Sequence, residues 1–252
     1  DLGAAGVSRT ALRLIVPEGG RAFLRPSLAD LVPRLFTSAE VYLGAPYPFG
    51  KLDFIGVPGL GPHAMENPGL ITCSLRALLG RQSRGADDYD WKFETHGAEV
   101  TVAHEIAHQW FGNLVTPATW NDLWLNESFA TWLSHKLLGD LRGYVPWLSR
   151  YSSPGGFSDE IRRKLRSDAD VVSSRVLVGY EKGAYLLNVL EAYLGAERFR
   201  ELIRGYLKKH AYQSVSSGDF LLALERASGP EGKLLARATS EFLDRQGTPA
   251  IR

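Results

Sequence analysis

The chain has 252 residues, of which 44% are hydrophobic and 23% charged, an ordinary soluble composition with length for one large domain or two small ones. Lys plus Arg number 29 against 28 Asp plus Glu, a net charge of +1 that argues against a general binder of nucleic acid or other polyanions. The single cysteine, Cys73, excludes an internal disulfide framework and a cysteine-rich zinc module, and reads as a small buried hydrophobe.

No window approaches 18 consecutive apolar residues, so no helical membrane span is expected. Asp1–Gly6 has neither the basic start nor the apolar run of a secretory leader, and the only Met is Met65. The chain therefore reads as part of a longer or processed one. Its compartment stays open, with the cytoplasm favoured, and its oligomeric state is unspecified.

Up to about residue 95, Pro and Gly recur every few residues and the apolar runs are short. Leu12–Val16 and Leu52–Val57 read as strands, and Leu28–Leu43 between them as a helix ending at Gly44. Gly80–Asp90 is polar and loop-like. From there the pattern turns helical, with expected helices at Ala98–Phe111, Leu123–Leu138, Tyr144–Tyr151, Tyr180–Leu194, Ala196–Lys209, Ser217–Ala227 and Gly232–Arg245. Gly112, Gly139 and Gly195 punctuate helix ends, and Ser217 can cap one. The expected fold is α+β: an α/β lobe over about 1–95, then a mostly helical lobe over about 96–252, with the active site between them.

The chemistry concentrates in His104-Glu105-Ile106-Ala107-His108. Positions i and i+4 of a helix lie about 40° apart around its axis, so both imidazoles leave the same face and can reach one zinc ion. Glu105 sits about 100° away, where it can reach a metal-bound water without occupying the metal. A tetrahedral catalytic zinc takes a third protein ligand and keeps one position for water. Glu127 follows His108 after eighteen residues, amid Trp124, Leu125, Phe129 and Trp132. A carboxylate in that setting needs a cation, whether a metal or an arginine. Two imidazoles and a carboxylate, with no thiolate, suit hydrolytic Zn²⁺ rather than electron transfer.

His104–Thr116 (HEIAHQWFGNLVT) followed by Trp124-Leu125-Asn126-Glu127 resembles the gluzincin zinc aminopeptidases, the aminopeptidase N and leukotriene hydrolase family. Ala64-Met65-Glu66-Asn67 resembles that family's exopeptidase motif, Gly-x-Met-Glu-Asn, and Tyr180-Glu181-Lys182-Gly183-Ala184 the segment bearing its catalytic tyrosine. Pro46-Tyr47-Pro48 with Lys51-Leu52-Asp53 resembles the strand before the exopeptidase motif. The resemblance runs from about residue 10 to the end. It implies that residues 1–252 are one thermolysin-like catalytic domain, the family's N-terminal β domain and C-terminal domains lying outside it. Gln246-Gly247-Thr248-Pro249 resembles the junction after which a β-sandwich begins.

By that resemblance, His104, His108 and Glu127 hold one zinc ion per chain, Glu105 is the general base and Tyr180 stabilises the oxyanion. Glu66 pairs with the free α-ammonium of a peptide, His63, Ala64, Met65 and Asn67 lie along the substrate, and Asn126 orients a zinc histidine. The implied activity is release of N-terminal residues from peptides. A thermolysin-type endopeptidase is the alternative, and a non-catalytic binding module on the same fold a further one. The chain departs from the family pattern at His63, where glycine is usual, at Pro68, where tryptophan is commoner, and at Ser128, where glycine is common.

Overall fold

Short runs near the N-terminus, each bounded by turn residues, pair into one sheet. The computed structural model describes residues 1–60, 64–79, 94–139, 161–162 and 177–246. His63, the Gly80–Asp90 loop, the Tyr144–Tyr151 helix and the Gly247–Pro249 junction lie outside the described residues. The chain divides into two units, Asp1–Asn113 and Leu114–Arg252.

In the first unit, strands β1 (Gly3–Ala5), β2 (Thr10–Ile15), β3 (Lys51–Val57), β4 (Ala64–Met65) and β5 (Leu70–Ser74) form a mixed sheet in the order β1-β2-β3-β5-β4. β2, β3 and β5 run parallel, with Leu12 opposite Leu52 and Phe54 opposite Ile71, while β1 and β4 are antiparallel to their neighbours. β2 alternates, burying Thr10 and Leu12 and exposing Ala11 and Arg13. β3 is central, and its Leu52, Asp53 and Phe54 are all buried, as expected of an inner strand covered on both faces. Asp53 is tolerated there because Arg13 and Lys51 both reach its carboxylate, at 2.6 Å each.

Helix α1 (Ser27–Leu43) buries Leu28, Leu31, Val32, Leu35, Phe36, Ala39 and Leu43, the spacing of a single apolar stripe. Gly44 ends it in the left-handed conformation, φ 61°, donating its N–H to the Glu40 carbonyl. A single helical turn, α2 (Leu75–Leu78), follows β5. Helix α3 (Glu94–His108) packs on α1 and α2 through buried Val102, Ala103, Ile106 and Ala107. It ends at His108, short of the expected Phe111, because the N–H groups of Gln109 and Trp110 bond three residues back, to Ile106 and Ala107, and tighten the chain into a turn.

In the second unit, β6 (Val115–Pro117) pairs in parallel with β7 (Gln213–Val215), two three-residue strands that periodicity did not indicate. The α-helices among its described residues are α4 (Trp124–Leu138), α5 (Leu177–Leu194), α6 (Ala196–His210), α7 (Ser217–Ser228) and α8 (Gly232–Leu243). α4 is buried around most of its circumference, by Trp124, Leu125, Phe129, Ala130, Trp132 and Leu133. Its main neighbour is α5, which contributes Ala184, Leu187 and Leu190. The cap of α7 is Ser216 rather than Ser217: Asp219 accepts from the Ser216 N–H and closes a capping box. Ser217 instead donates to Asp122 at 2.7 Å and accepts from the Trp124 indole at 2.8 Å, pinning the start of α4.

Lys182 on α5 is wholly buried, its ammonium donating to the Arg245 carbonyl and lying 5.2 Å over the Phe242 ring. No helix among the described residues is long and apolar enough to cross a membrane.

Candidate active site

The last turn of α3 brings His104 and His108 together. Their Nε2 atoms are 2.8 Å apart, with the rings perpendicular. Two nitrogens bound tetrahedrally to one zinc at about 2.0–2.1 Å would stand roughly 3.3 Å apart, so a shift of a few tenths of an ångström seats an ion between them. The second nitrogen of His108 faces the Phe111 carbonyl at 3.0 Å. An N–H there leaves the Nε2 lone pair for a metal, the arrangement in which a carbonyl behind the ring selects the ligating tautomer. The tightened end of α3 is what brings that carbonyl round to His108. By geometry and donor chemistry, these residues fit zinc.

Glu105, between the two histidines, is 5% exposed, and Val102, Ile106 and Trp110 around it are fully buried. Glu66 approaches from the turn after β4. Its carboxylate lies 4.0 Å from His108 Nδ1, and ligand-type atoms of Glu66, Glu105 and His108 all fall within 4.8 Å of one another. Ala64 and Met65 lie on β4, opposite Cys73 and Thr72 of β5. Met65 is half exposed, and the Asn67 amide stands 3.4 Å from the Thr72 hydroxyl. The turn closes through Gly69, whose φ of 73° and proximity to the Lys51 carbonyl (3.2 Å from an added Cβ) require glycine.

Two residues that sequence reasoning missed hold this turn. Gln109 and Asn113, just past His108, both donate to the Glu66 carbonyl, at 3.0 and 2.6 Å. The available signal was a glutamine wedged between His108 and the apolar Trp110-Phe111 pair, where a polar side chain needs partners. Behind Gln109 stands Tyr47, whose hydroxyl faces the Gln109 carboxamide oxygen at 3.3 Å and the Lys51 carbonyl at 3.0 Å. Burial holds the Tyr47 phenol well above its ordinary range, so it stays a donor. Burial likewise pushes the Cys73 thiol, on the neighbouring strand, up to about 12, with the Glu105 charge adding to the shift. Cys73 is thus the inert buried hydrophobe expected of it.

The remaining site candidates belong to the second unit. Glu127 and Asn126 lie in the first turn of α4, both buried, and Tyr180 is half-buried in the first turn of α5. Within that unit the two helices meet where Gly183 faces Ser128, and the Ser128 hydroxyl donates to the Gly179 carbonyl, next to Tyr180.

The sequence model of the Peptidase family M1 domain matches residues 28–244. The chain belongs to peptidase family M1. Among curated proteins it is 38% identical over 233 residues to "Tricorn protease-interacting factor F2" of Thermoplasma volcanium, covering 88% of this chain and 29% of that protein. It is 36% identical over 226 residues to "Aminopeptidase M1-C" of Oryza sativa subsp. japonica, covering 83% and 24%. Against "Aminopeptidase M1" of Arabidopsis thaliana the identity is 37% over 226 residues, again covering 83% and 24%. The chain thus spans about a quarter to three-tenths of the length of these curated relatives. All the site residues named above fall inside the stretch matched to the M1 domain.

Proposed function

We propose that this M1 chain is a single thermolysin-like catalytic domain of a zinc aminopeptidase, which releases N-terminal residues from peptides carrying a free α-amine. The observation that carries the reading is the 2.8 Å approach of the His104 and His108 Nε2 atoms, with buried Glu105 between them in sequence and Glu66 beside His108. Names of M1 relatives such as "Aminopeptidase M1" support the reaction class.

His104, His108 and Glu127 would hold the metal, one per chain. Bound there, zinc supplies Lewis acidity and lowers the pKa of water from about 15.7 to about 7. Glu105 accepts the proton of the attacking water and passes it to the leaving amine, general acid–base work worth about 10²–10⁴-fold. Tyr180 donates its hydroxyl to the oxyanion that forms as the peptide carbonyl becomes tetrahedral, a donor of a kind worth about 2.7–4 kcal/mol. The Phe111 carbonyl holds His108 in its ligating tautomer, and Asn126 orients a histidine ligand. Glu66 pairs with the substrate α-ammonium, so that the protein counts one residue from the peptide end; Ala64, Met65 and Asn67 lie along the peptide.

A mass-spectrometric time course tests this directly, using the full-length protein and one peptide in free and N-acetylated forms, with and without chelator. Stepwise loss from the free end, abolished by chelation and restored by zinc, is expected. Internal cleavage of the acetylated peptide would replace the reading with an endopeptidase, and undiminished turnover after metal removal would end the zinc assignment.

A further inference from the structure

Gln109 has four polar neighbours in a site with no exposure. Its two N–H bonds go to the Glu66 carbonyl at 3.0 Å and the Glu105 carbonyl at 3.3 Å. Its oxygen faces the Gly69 N–H at 3.4 Å and the Tyr47 hydroxyl at 3.3 Å. The orientation of the amide is fixed by those partners, because a flipped group would set donor against the Gly69 donor and oxygen against the Glu66 oxygen. One side chain therefore clamps both ends of the Glu66–Gly69 turn to the helix that carries His104, Glu105 and His108. Asn113 supplies the second donor to the Glu66 carbonyl, at 2.6 Å, filling both its lone pairs. Lys51 holds the Gly69 carbonyl at 2.9 Å from the other side. Such a fixed main chain anchors the point from which the Glu66 carboxylate reaches to within 4.0 Å of His108, and geometry at that scale decides how well an ion pair with substrate is made.

We propose that Gln109 is a positioning residue: by clamping the Glu66 turn to the histidine-bearing helix, it sets how strongly the protein prefers a free amino terminus over a blocked one. The inference rests on the reading of Glu66 as the amine-binding carboxylate. It predicts that loosening the clamp costs amine recognition specifically, and leaves the metal and the general base in place.

The test is Gln109→Met, close in shape but without the amide, made in the full-length protein beside Tyr47→Phe, which spares both donors to the main chain. For each, kcat and KM are measured on an aminoacyl amide with a free and an N-acetylated amine. Zinc per chain, thermal midpoint and hydrogen exchange at the Gly69 amide in the metal-free protein are measured alongside. Gln109→Met is expected to raise KM for the free substrate about 10-fold and to cut the free-over-blocked ratio of kcat/KM by a similar factor. Zinc content should hold, and Gly69 should exchange faster. Tyr47→Phe should leave the ratio in place. An unchanged ratio, or equal losses on both substrates, in a folded and zinc-loaded Gln109→Met protein overturns the proposal. If that variant does not fold, Gln109→Asn, which keeps the amide but shortens its reach to the Glu66 carbonyl, takes its place, and an unchanged ratio there overturns it equally. A wild-type protein with no preference for the free amine removes the Glu66 reading, and this inference with it, an outcome distinct from a preference that the variants fail to alter.

Discussion

A Cβ built on Gly183 of α5 would lie 1.9 Å from the Ser128 hydroxyl oxygen of α4 and 2.6 Å from the Ser128 Cβ. The two helices are that close at the turn following Tyr180 and immediately beside Glu127. Neither atom of Ser128 can swing far, because the side chain is short and its hydroxyl is committed to the Gly179 carbonyl. Gly183→Ala should therefore push the helices apart and destabilise the protein by about 1–3 kcal/mol, the usual cost of an overpacked core. Urea denaturation measures it, and Ser128→Gly in the same chain should recover most of the loss. A Gly183→Ala protein as stable as wild type would mean that the helices separate freely.

Glu105 offers a sharper test, of chemistry rather than packing. Glu105→Gln keeps the shape of the side chain and removes its basicity. Turnover should fall by about 10²–10⁴-fold while bound zinc per chain stays the same, read by metal analysis beside steady-state kinetics. A variant with normal turnover would strip Glu105 of its role as the base.

Asp53 links stability to acidity. The Arg13 guanidinium, and after it the Lys51 ammonium, hold its carboxyl below the usual carboxylate range, against the opposing effect of burial. A depressed folded-state pKa contributes stability that is complete above the ordinary value of about 3.9 and disappears as pH falls through the lower folded value. Asp53→Asn should thus lower denaturation midpoints at pH 7, and the gap to wild type should close progressively below about pH 4. A gap of constant size down to pH 2 would assign the effect to packing rather than charge.

What could be read from the residues was local. Gly44 and Gly139 stop α1 and α4 in left-handed caps, as their positions after apolar stripes suggest. The pairing of His104 with His108 follows from helical geometry alone. What could not be read depends on partners distant in the chain. The β6–β7 pair joins Val115 to Gln213, with three residues a side carrying no periodic signal. Gln109 finds its acceptor at Glu66, 43 positions earlier. The Ser216 cap was missed by one residue because adjacent serines look alike until Asp219 chooses between them. The match of Gly183 to Ser128 is likewise invisible until α4 and α5 are packed.

The buried ammonium of Lys182 bears on where this polypeptide can be shortened. The ammonium donates to the main chain at Arg245, beyond the last turn of α8, so a fragment terminated ahead of that point would take this oxygen away from a buried cation. A version trimmed for crystallisation or engineering keeps that contact by running past Arg245.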